Sequence, residues 1–257
     1  MIKKAILFFA VSIFLFSCAP KERLVYFQGI DKQAKNETIV DFQPVIQPDD
    51  LLLIIVSAPD PEAALPYNLI MFTATDNSTD RANVGGLRFQ SYLVDSQGNI
   101  DFPVLGTIKL GGLTKSDAIE KLKSELRKYI NSPIINLRIT NYKISILGEV
   151  VRPGSYNIVS ERITLPEALS MAGDLTIYGN RKEILIIRDV EGIKIHNYID
   201  ITSPEFINSP YYYLDQNDLV YVNPNKTKIN SSAVGPNVTV GISAISLLIT
   251  IIALIAR

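Results

Sequence analysis

The sequence has little of what builds disulfides, metal sites and nucleophile–base pairs. Its 257 residues include one cysteine, Cys18, and one histidine, His196. A single cysteine excludes an intrachain disulfide, and two isolated residues cannot supply the clustered His and Cys ligands of a zinc site. We therefore expect no metal and no cofactor, and a folded body that is stabilised by packed apolar cores.

The chain also has no excess of charge of one sign. It contains 25 lysine and arginine residues against 26 aspartate and glutamate residues, which gives a formal net charge of −1. A nucleic-acid-binding protein usually presents a basic patch that neutralises phosphates, and this composition indicates none. The charge balance argues against nucleic acid as a partner.

No residue pattern points to an enzyme. His196 lies between Ile195 and Asn197 in an alternating stretch, where we expect it to face solvent. Asp49 and Asp50 could serve glycoside cleavage as a carboxylate pair, but adjacent residues on a strand point to opposite faces, and a turn explains them better. Because a nucleophile motif and a phosphate-binding loop are also missing, no catalytic residue is predicted.

The N-terminus has the pattern of a secretory signal. Lys3 and Lys4 precede an uncharged run from Ala5 to Phe16, and Cys18 follows a small residue. This order resembles a bacterial lipoprotein signal, with residues 1–17 removed and acyl chains on Cys18 inserted into membrane lipid. The alternative is an uncleaved membrane helix, but an apolar core of about 12 residues is short for a span of about 20.

The C-terminus has the composition of a membrane-spanning helix. Residues 238–256 contain no charged residue. At about 1.5 Å per residue they reach close to the ~30 Å thickness of the hydrocarbon core. We predict a transmembrane α-helix over residues 237–256.

Hydroxyl residues form a stripe along this predicted helix. Thr239, Ser243, Ser246 and Thr250 follow one another at steps of four, three and four residues, which places them on one helical face. The stripe suits close packing between helices, or a face turned to water inside a ring of helices. Both uses need several copies of the helix. The alternative is a monomeric tail anchor whose hydroxyls bond to its own backbone carbonyls.

Between the two ends, the pattern predicts two small folded units. Residues 18–41 lack a regular apolar period and are expected to form a tether. The first unit, residues 42–141, opens with a buried strand from Leu51 to Val56. It then holds an irregular insertion at about 59–86 and, later, a helix that Thr114 caps.

Turn residues define the second unit, residues 142–223. We expect Gly148 to end a strand, and Pro153–Gly154 to form a type II turn in which the glycine has positive φ. A capping box at Thr164–Glu167 starts a short helix that stops at Gly173. Residues that follow this unit, 224–236, are read as a linker.

Several of these motifs, in this order, carry a family resemblance. In chain order they are Pro48-Asp49-Asp50, Val94 to Pro103, Leu105-Gly106, Gly112-Leu113-Thr114, Tyr129 to Pro133, Ile146 to Tyr156 and Tyr213 to Val222. The first five resemble the polysaccharide export domain of capsule and exopolysaccharide exporters, the Wza-like outer-membrane lipoproteins. The last two resemble the soluble-ligand-binding β-grasp (SLBB) domain that follows it in this family.

The resemblance implies an α+β fold with a small polysaccharide-export domain and one SLBB domain, followed by the C-terminal transmembrane α-helix. Asp49, Asp174 and Asn217 depart from the family's turns, where glycine is usual. Asp and Asn are the residues best able to replace glycine at positive φ, so we expect the fold to survive these changes.

The resemblance also implies a function. Family members form a homo-oligomer ring with a periplasmic body, and their C-terminal helices make an α-helical barrel through the outer membrane for a polysaccharide polymer. The hydroxyl stripe would then line the pore. An inner-membrane copolymerase or tyrosine kinase is the implied partner. Ala19 after Cys18, in place of aspartate, favours the outer membrane.

Two other functions stay open. The first is a membrane-anchored periplasmic scaffold or adaptor of a polysaccharide assembly complex, without its own pore. The second is a periplasmic polysaccharide-modifying enzyme, which no group of residues supports. Tyr211, Tyr212 and Tyr213 could stack on sugars, or they could contact the core and a neighbouring subunit.

Overall fold

The chain folds into two successive units of strands and helices, followed by two C-terminal helices. The computed structural model describes residues 24–32, 42–71, 88–190, 192–233 and 236–255. Both units mix helices with strands, which confirms the α+β part of the predicted fold class.

The first unit is built around a short antiparallel sheet. Its described elements are β1 (Leu51–Ser57), α1 (Pro61–Ala64), β2 (Ile70–Met71), β3 (Arg88–Phe89), β4 (Tyr92–Leu93), β5 (Asn99–Phe102), β6 (Gly106–Lys109), α2 (Lys115–Leu126) and β7 (Ile134–Ile139). Strand β1 lies between β4 and β7, while β5 and β6 form a hairpin. The predicted buried strand is confirmed, because Leu52, Ile54 and Val56 of β1 enter the core.

Helix α2 begins where the sequence predicts. The Thr114 hydroxyl accepts a hydrogen bond from the backbone N–H of Asp117 at 3.2 Å, which satisfies one free donor of the first turn. Ala118, Leu122 and Leu126 are fully buried and join the core that contains β1. Their spacing is that of one helical face.

The predicted irregular insertion at 59–86 is wrong over its first part. Residues 61–71 contain α1, a 3₁₀ turn and β2, and β2 pairs antiparallel with β3. The Asn68 side chain explains this order, because it accepts from Val56 N at 2.8 Å and donates to Val56 O and Ala64 O. Hydrogen bonds from a side-chain amide order this segment without a periodic pattern of apolar residues that the sequence could show. The rest of the insertion, residues 72–87, lies outside the described residues.

The second unit contains a five-stranded sheet with one helix. Its elements are β8 (Lys143–Gly148), β9 (Gly154–Asn157), β10 (Ile163–Thr164), α3 (Leu165–Met171), β11 (Gly179–Val190), β12 (Ile193–Ile199), β13 (Tyr213–Leu214) and β14 (Leu219–Pro224). The sheet order is β12-β11-β14-β8-β9, with β14 and β8 parallel and the other neighbours antiparallel. Helix α3 buries Leu165 and Leu169 in the core that contains Ile146 and Ile186.

The predicted start and stop of α3 are confirmed. The Thr164 hydroxyl accepts from Glu167 N at 3.3 Å, and the Glu167 carboxylate accepts from Thr164 N at 2.8 Å. Gly173 adopts φ +77° and donates from its N–H to Ser170 O. The helix therefore begins with a capping box and ends at a left-handed glycine.

The three residues that replace the family's usual glycines have positive φ, as predicted. Asp49 has φ +69°, Asp174 has φ +70° and Asn217 has φ +64°. These residue types tolerate this conformation better than most others, so the turns keep their geometry without glycine.

One predicted turn has a different geometry. Gly148 ends β8 with φ +89°, in agreement with the prediction. Gly154, however, is the first residue of β9 and does not have positive φ. After Pro153 the chain therefore continues directly into an extended strand. The predicted type II turn at Pro153–Gly154 is wrong.

Part of the predicted tether is docked on the second unit. Phe27 N donates to Ile201 O at 3.2 Å and Gln28 N donates to Thr202 O at 2.7 Å. The Phe27 ring stacks on Phe206 with the centroids 6.3 Å apart. Residues 24–32 are thus an element of the fold, whereas the other tether residues, 18–23 and 33–41, lie outside the described ones.

The C-terminal region is helical. Helices α4 (Lys226–Ala233) and α5 (Pro236–Ile255) follow β14. Within the residues that the structure describes, no helix combines the length and the apolar character that a membrane crossing needs. The structure therefore does not support the predicted transmembrane helix over residues 237–256.

Candidate functional site

A cleft of about 470 Å³ lies where the two units meet. The first unit lines it with Phe42, Gln43, Pro44, Lys115 and Ser116, and the second lines it with Ser160, Glu161 and Arg162. Binding sites occur preferentially in such clefts between folded units, where side chains from two scaffolds converge.

Pairing of two short strands positions the arginine of the cleft. Strand β10 pairs with β13 so that Thr164 lies opposite Tyr213, which brings Arg162 next to the tyrosine. The guanidinium carbon of Arg162 is 5.3 Å from the centre of the Tyr213 ring. The Phe42 ring stacks on the same tyrosine at 5.0 Å, with 19° between the ring planes. Tyr213 therefore links the start of the first unit to the arginine of the second.

A buried ion-pair network fixes the strand that carries Tyr213. Arg188 donates to both carboxylate oxygens of Asp218, at 3.0 and 2.7 Å, and to Tyr213 O at 3.1 Å. Its remaining amino group lies 2.8 Å from a carboxylate oxygen of Asp215. Burial alone would lower the pKa of Arg188, but the hydrogen bonds and charges of the carboxylates outweigh burial and raise it. Arg188 is therefore charged and holds the backbone of Tyr213 in place.

An ion pair joins the two units at the cleft. Lys115 of α2 forms an ion pair with Glu161, whose side chain is 61% exposed. An exposed pair of this kind contributes at most about 1 kcal/mol. At the junction, Asn141 accepts from Leu51 N at 2.9 Å and donates to Asp49 O at 2.9 Å. The hydrogen bonds of Asn141 tie the end of the first unit to its own first strand.

A second cavity, of about 450 Å³, lies beneath the docked N-terminal segment. Tyr26 and Phe27 line one side, and Leu169, Asp174 and Ile201 line the other. The Tyr26 hydroxyl donates to the Asp174 carboxylate. Burial raises the pKa of Tyr26 well above its ordinary value, and the hydrogen bond to Asp174 acts in the same direction. This tyrosine stays protonated, so it serves as a donor that holds the segment in place.

The predicted hydroxyl stripe lies on α5, and its use stays a prediction. Ser243, Ser246 and Thr250 are exposed. The Thr250 hydroxyl donates to Ser246 O at 2.8 Å, as the monomeric alternative expects of every hydroxyl in the stripe. Thr239 belongs to the helix, but its side chain lies outside the described ones, as does the lipidation candidate Cys18.

The residues considered for catalysis have structural surroundings. Asp50 is fully buried and accepts from Gln47 N at 2.9 Å within the turn that precedes β1, as the turn interpretation predicts. Burial raises the pKa of its carboxyl to about 6. His196 is exposed on β12, as expected.

The three consecutive tyrosines pack within the chain. The Arg188 guanidinium carbon lies 5.1 Å from the centre of the Tyr211 ring. The ring centroids of Tyr212 and Phe206 are 5.4 Å apart. Tyr213 contacts Phe42 and Arg162, as described above. The predicted core contact is therefore found for Tyr211 and Tyr212, whereas Tyr213 reaches the cleft. The predicted contact with a neighbouring subunit stays a prediction.

Sequence reasoning missed the cleft and the docked segment. Phe42 and Arg162 are 120 positions apart in the sequence, and neither belongs to a motif. Their proximity follows from the pairing of β10 with β13. Strands of two residues are too short to show a periodic pattern in the sequence. Tyr26 and Phe27 offered a signal, since two adjacent aromatic residues in a polar tether are unusual.

Comparison with known proteins gives two consecutive family matches. The family described as "Polysaccharide biosynthesis/export protein" matches residues 40–140. The family described as "SLBB domain" matches residues 142–222. The two matches follow each other in the order in which the two folded units occur.

Two curated relatives are similar to part of the chain. Both carry the name "EPS I polysaccharide export outer membrane protein EpsA". The protein from Ralstonia nicotianae is 30% identical over 142 residues, which is 53% of this chain and 36% of the relative. The protein from Ralstonia solanacearum is 29% identical over 142 residues, 53% of this chain and 37% of the relative. The aligned part of the chain thus spans a little over a third of either relative.

Proposed function

Because the chain belongs to the polysaccharide biosynthesis/export family, we propose that it takes part in the export of a bacterial polysaccharide at the outer membrane. The observation that carries the proposal is the succession of an export domain and an SLBB domain over residues 40–222. The names of the Ralstonia relatives support a polysaccharide as the exported molecule and the outer membrane as the location. The protein would act as a transport component and not as an enzyme.

The finer proposal is an oligomeric channel. Identical lipoprotein subunits, anchored through acyl chains on Cys18, would close into a ring around the polymer with their main bodies in the periplasm. The lipoprotein signal in residues 1–18 supports the anchor. An inner-membrane copolymerase or tyrosine kinase would hand the polymer to the ring, as the family resemblance implies.

The C-terminal helices would form the membrane part of this channel. The support comes from the uncharged sequence of residues 238–256 and from the hydroxyl stripe, and not from the described helix, which does not meet the requirements for a span. In α5, Leu247 is 64% exposed and Leu254 is 78% exposed. Large apolar side chains at this exposure need lipid or neighbouring helices to cover them.

A scaffold without a pore is the competing function. The hydrogen bond from Thr250 to Ser246 O favours it, because a hydroxyl that is bonded within its own helix needs no partner helix. The scaffold would keep the polysaccharide assembly together from the periplasmic side. Its C-terminus would then stay inside the cell envelope.

Labelling of the C-terminus separates the channel from the scaffold. The Arg257→Cys variant would be treated in intact cells with a membrane-impermeant maleimide, with wild type as control because a lipidated Cys18 has no free thiol. Labelling of intact cells supports the channel. Labelling only after permeabilisation, with expression verified, supports the scaffold.

Loss of the gene tests the export role itself. A deletion strain is expected to lose surface polysaccharide and to regain it when the wild-type gene is supplied. Surface polysaccharide that stays at the wild-type level in the deletion strain would contradict the role in export.

A further inference from the structure

We propose that the cleft between the two units binds an acidic sugar of the exported polymer, with the guanidinium of Arg162 holding the sugar's carboxylate. The inference rests on the proposed export function and names the class of polysaccharide. It follows from the charge of Arg162, which has no ion-pair partner among the described residues, from the shape of the cleft and from the chemistry of its walls.

Arg162 has free hydrogen-bonding capacity. Its side chain is exposed, and in the part of the chain that the structure describes its guanidinium contacts the Tyr213 ring but forms no ion pair and no hydrogen bond. A guanidinium carries five N–H donors in a planar fork that matches the two oxygens of a carboxylate. The contact with Tyr213 restrains the group at the cleft, so less side-chain freedom is lost on binding.

The other charges in the cleft neutralise each other. Lys115 and Glu161 form an ion pair, which leaves Arg162 as the excess charge among the lining residues that the structure describes. The chain as a whole has a net charge of −1, so no general attraction would draw an anionic polymer to the rest of its surface. Recognition of an anion would therefore be local to this cleft.

The walls of the cleft suit a saccharide. Phe42 and Pro44 supply apolar surface, and Ser116 and Ser160 supply hydroxyls that can exchange hydrogen bonds with sugar hydroxyls. The volume of about 470 Å³ is within the range of small-molecule sites and leaves room for one or two sugar rings.

Binding of a defined acidic oligosaccharide tests the proposal. Full-length protein in detergent would be titrated with tetragalacturonate, and with maltotetraose as an uncharged control of the same length, by isothermal titration calorimetry. We expect tetragalacturonate to bind at least about tenfold more tightly than maltotetraose, because charge-assisted hydrogen bonds are about twice as strong as neutral ones. Equal affinity for the two sugars would overturn the proposal.

Two substitutions locate the binding site. Arg162→Ala is expected to weaken tetragalacturonate binding about tenfold or more, and Arg162→Lys, which keeps the charge but loses the fork, to weaken it less. Arg127→Ala is the matched control, an exposed arginine just beyond the far end of α2, whose first residues line the cleft. An unchanged affinity of Arg162→Ala, or an equal loss in Arg127→Ala, would refute the site.

The result separates the site from the export function. If tetragalacturonate fails to bind while the deletion strain loses surface polysaccharide, the acidic-sugar site is refuted and export stands. If Arg162-dependent binding is found while the deletion strain exports normally, the site stands and the export function is refuted. Binding of the peptidoglycan disaccharide N-acetylglucosaminyl-N-acetylmuramic acid in place of tetragalacturonate would also count against an exported polymer as the ligand.

Discussion

Gly148 is a position where the structure excludes any side chain, so Gly148→Ala should destabilise the second unit. An added Cβ would lie 2.1 Å from Val222 O, on the neighbouring strand β14. The residue also has φ +89°, which L-residues other than glycine rarely adopt. Val222 O accepts from Glu149 N at 3.0 Å, so pushing β14 away also strains this hydrogen bond.

The cost can be estimated from these contacts. A left-handed conformation costs about 1–2 kcal/mol for alanine, and overpacking against a rigid neighbour costs about 1–3 kcal/mol. Together they predict a loss of about 3 kcal/mol in the free energy of unfolding. In a protein of this size, such a loss lowers the melting temperature by about 6–12 °C.

Gly154→Ala is the matched control, since it changes the same residue type in the next strand. Gly154 does not have positive φ, and an added Cβ would meet no atom within 4 Å. We expect no loss, or a gain of up to about 1 kcal/mol from the stiffer unfolded chain. Urea unfolding of full-length protein in detergent, followed by circular dichroism, measures both variants. Equal stability of Gly148→Ala and Gly154→Ala would refute the reasoning.

Three further predictions concern charge and the C-terminal helix. Burial raises the pKa of Asp50 to about 6 from 3.8, so the native state binds the proton of this carboxyl more tightly than the unfolded state does. The free energy of unfolding should therefore fall by roughly 2–3 kcal/mol as the pH rises from about 4 to about 6. Urea unfolding of Asp50→Asn should lack this fall, and a fall as large as in wild type would contradict the assignment. Asp218→Ala leaves Arg188 buried without its main partner and should cost about 3–5 kcal/mol. Glu125→Ala, which removes the exposed pair with Lys128, should change the free energy of unfolding much less. Similar losses of the two variants in urea unfolding would count against a buried network. Replacing Ser243 and Ser246 together by leucine should preserve the circular dichroism of the two folded units while reducing surface polysaccharide. Normal surface polysaccharide in such a strain would argue against a pore-lining stripe.

Local signals in the sequence were sufficient for turns and helix ends. The Thr114 cap, the Thr164–Glu167 capping box and the stop at Gly173 depend on residues within one helical turn of each other, so the sequence contains the whole cause. The left-handed Asp49 and Asn217 were predictable for the same reason, since the residue type itself limits the conformation.

The Pro153–Gly154 prediction failed because a local signal was outweighed by strand pairing. A Pro-Gly pair favours a type II turn. Here, Gly154 pairs with Ile146 of β8 and takes an extended conformation. The pairing energy of β9 with β8 is a property of the sheet and is not visible in the two turn residues.

The candidate site was beyond sequence reasoning for a related reason. Arg162 and Phe42 meet at Tyr213 only after β10 has paired with β13 and the two units have packed. Likewise, Phe27 docks on the second unit through its ring contact with Phe206 and through backbone hydrogen bonds to a loop far along the chain. Long-range contacts carried by one or two side chains leave no periodic pattern.

The most direct test of the export function is the location of polymer in a strain that lacks this protein. Polysaccharide would be quantified on the cell surface and inside the cell envelope, in the deletion strain and in the same strain carrying the wild-type gene. Export predicts that the surface polymer is lost while polymer accumulates inside the envelope. Surface polymer at the wild-type level would contradict the account.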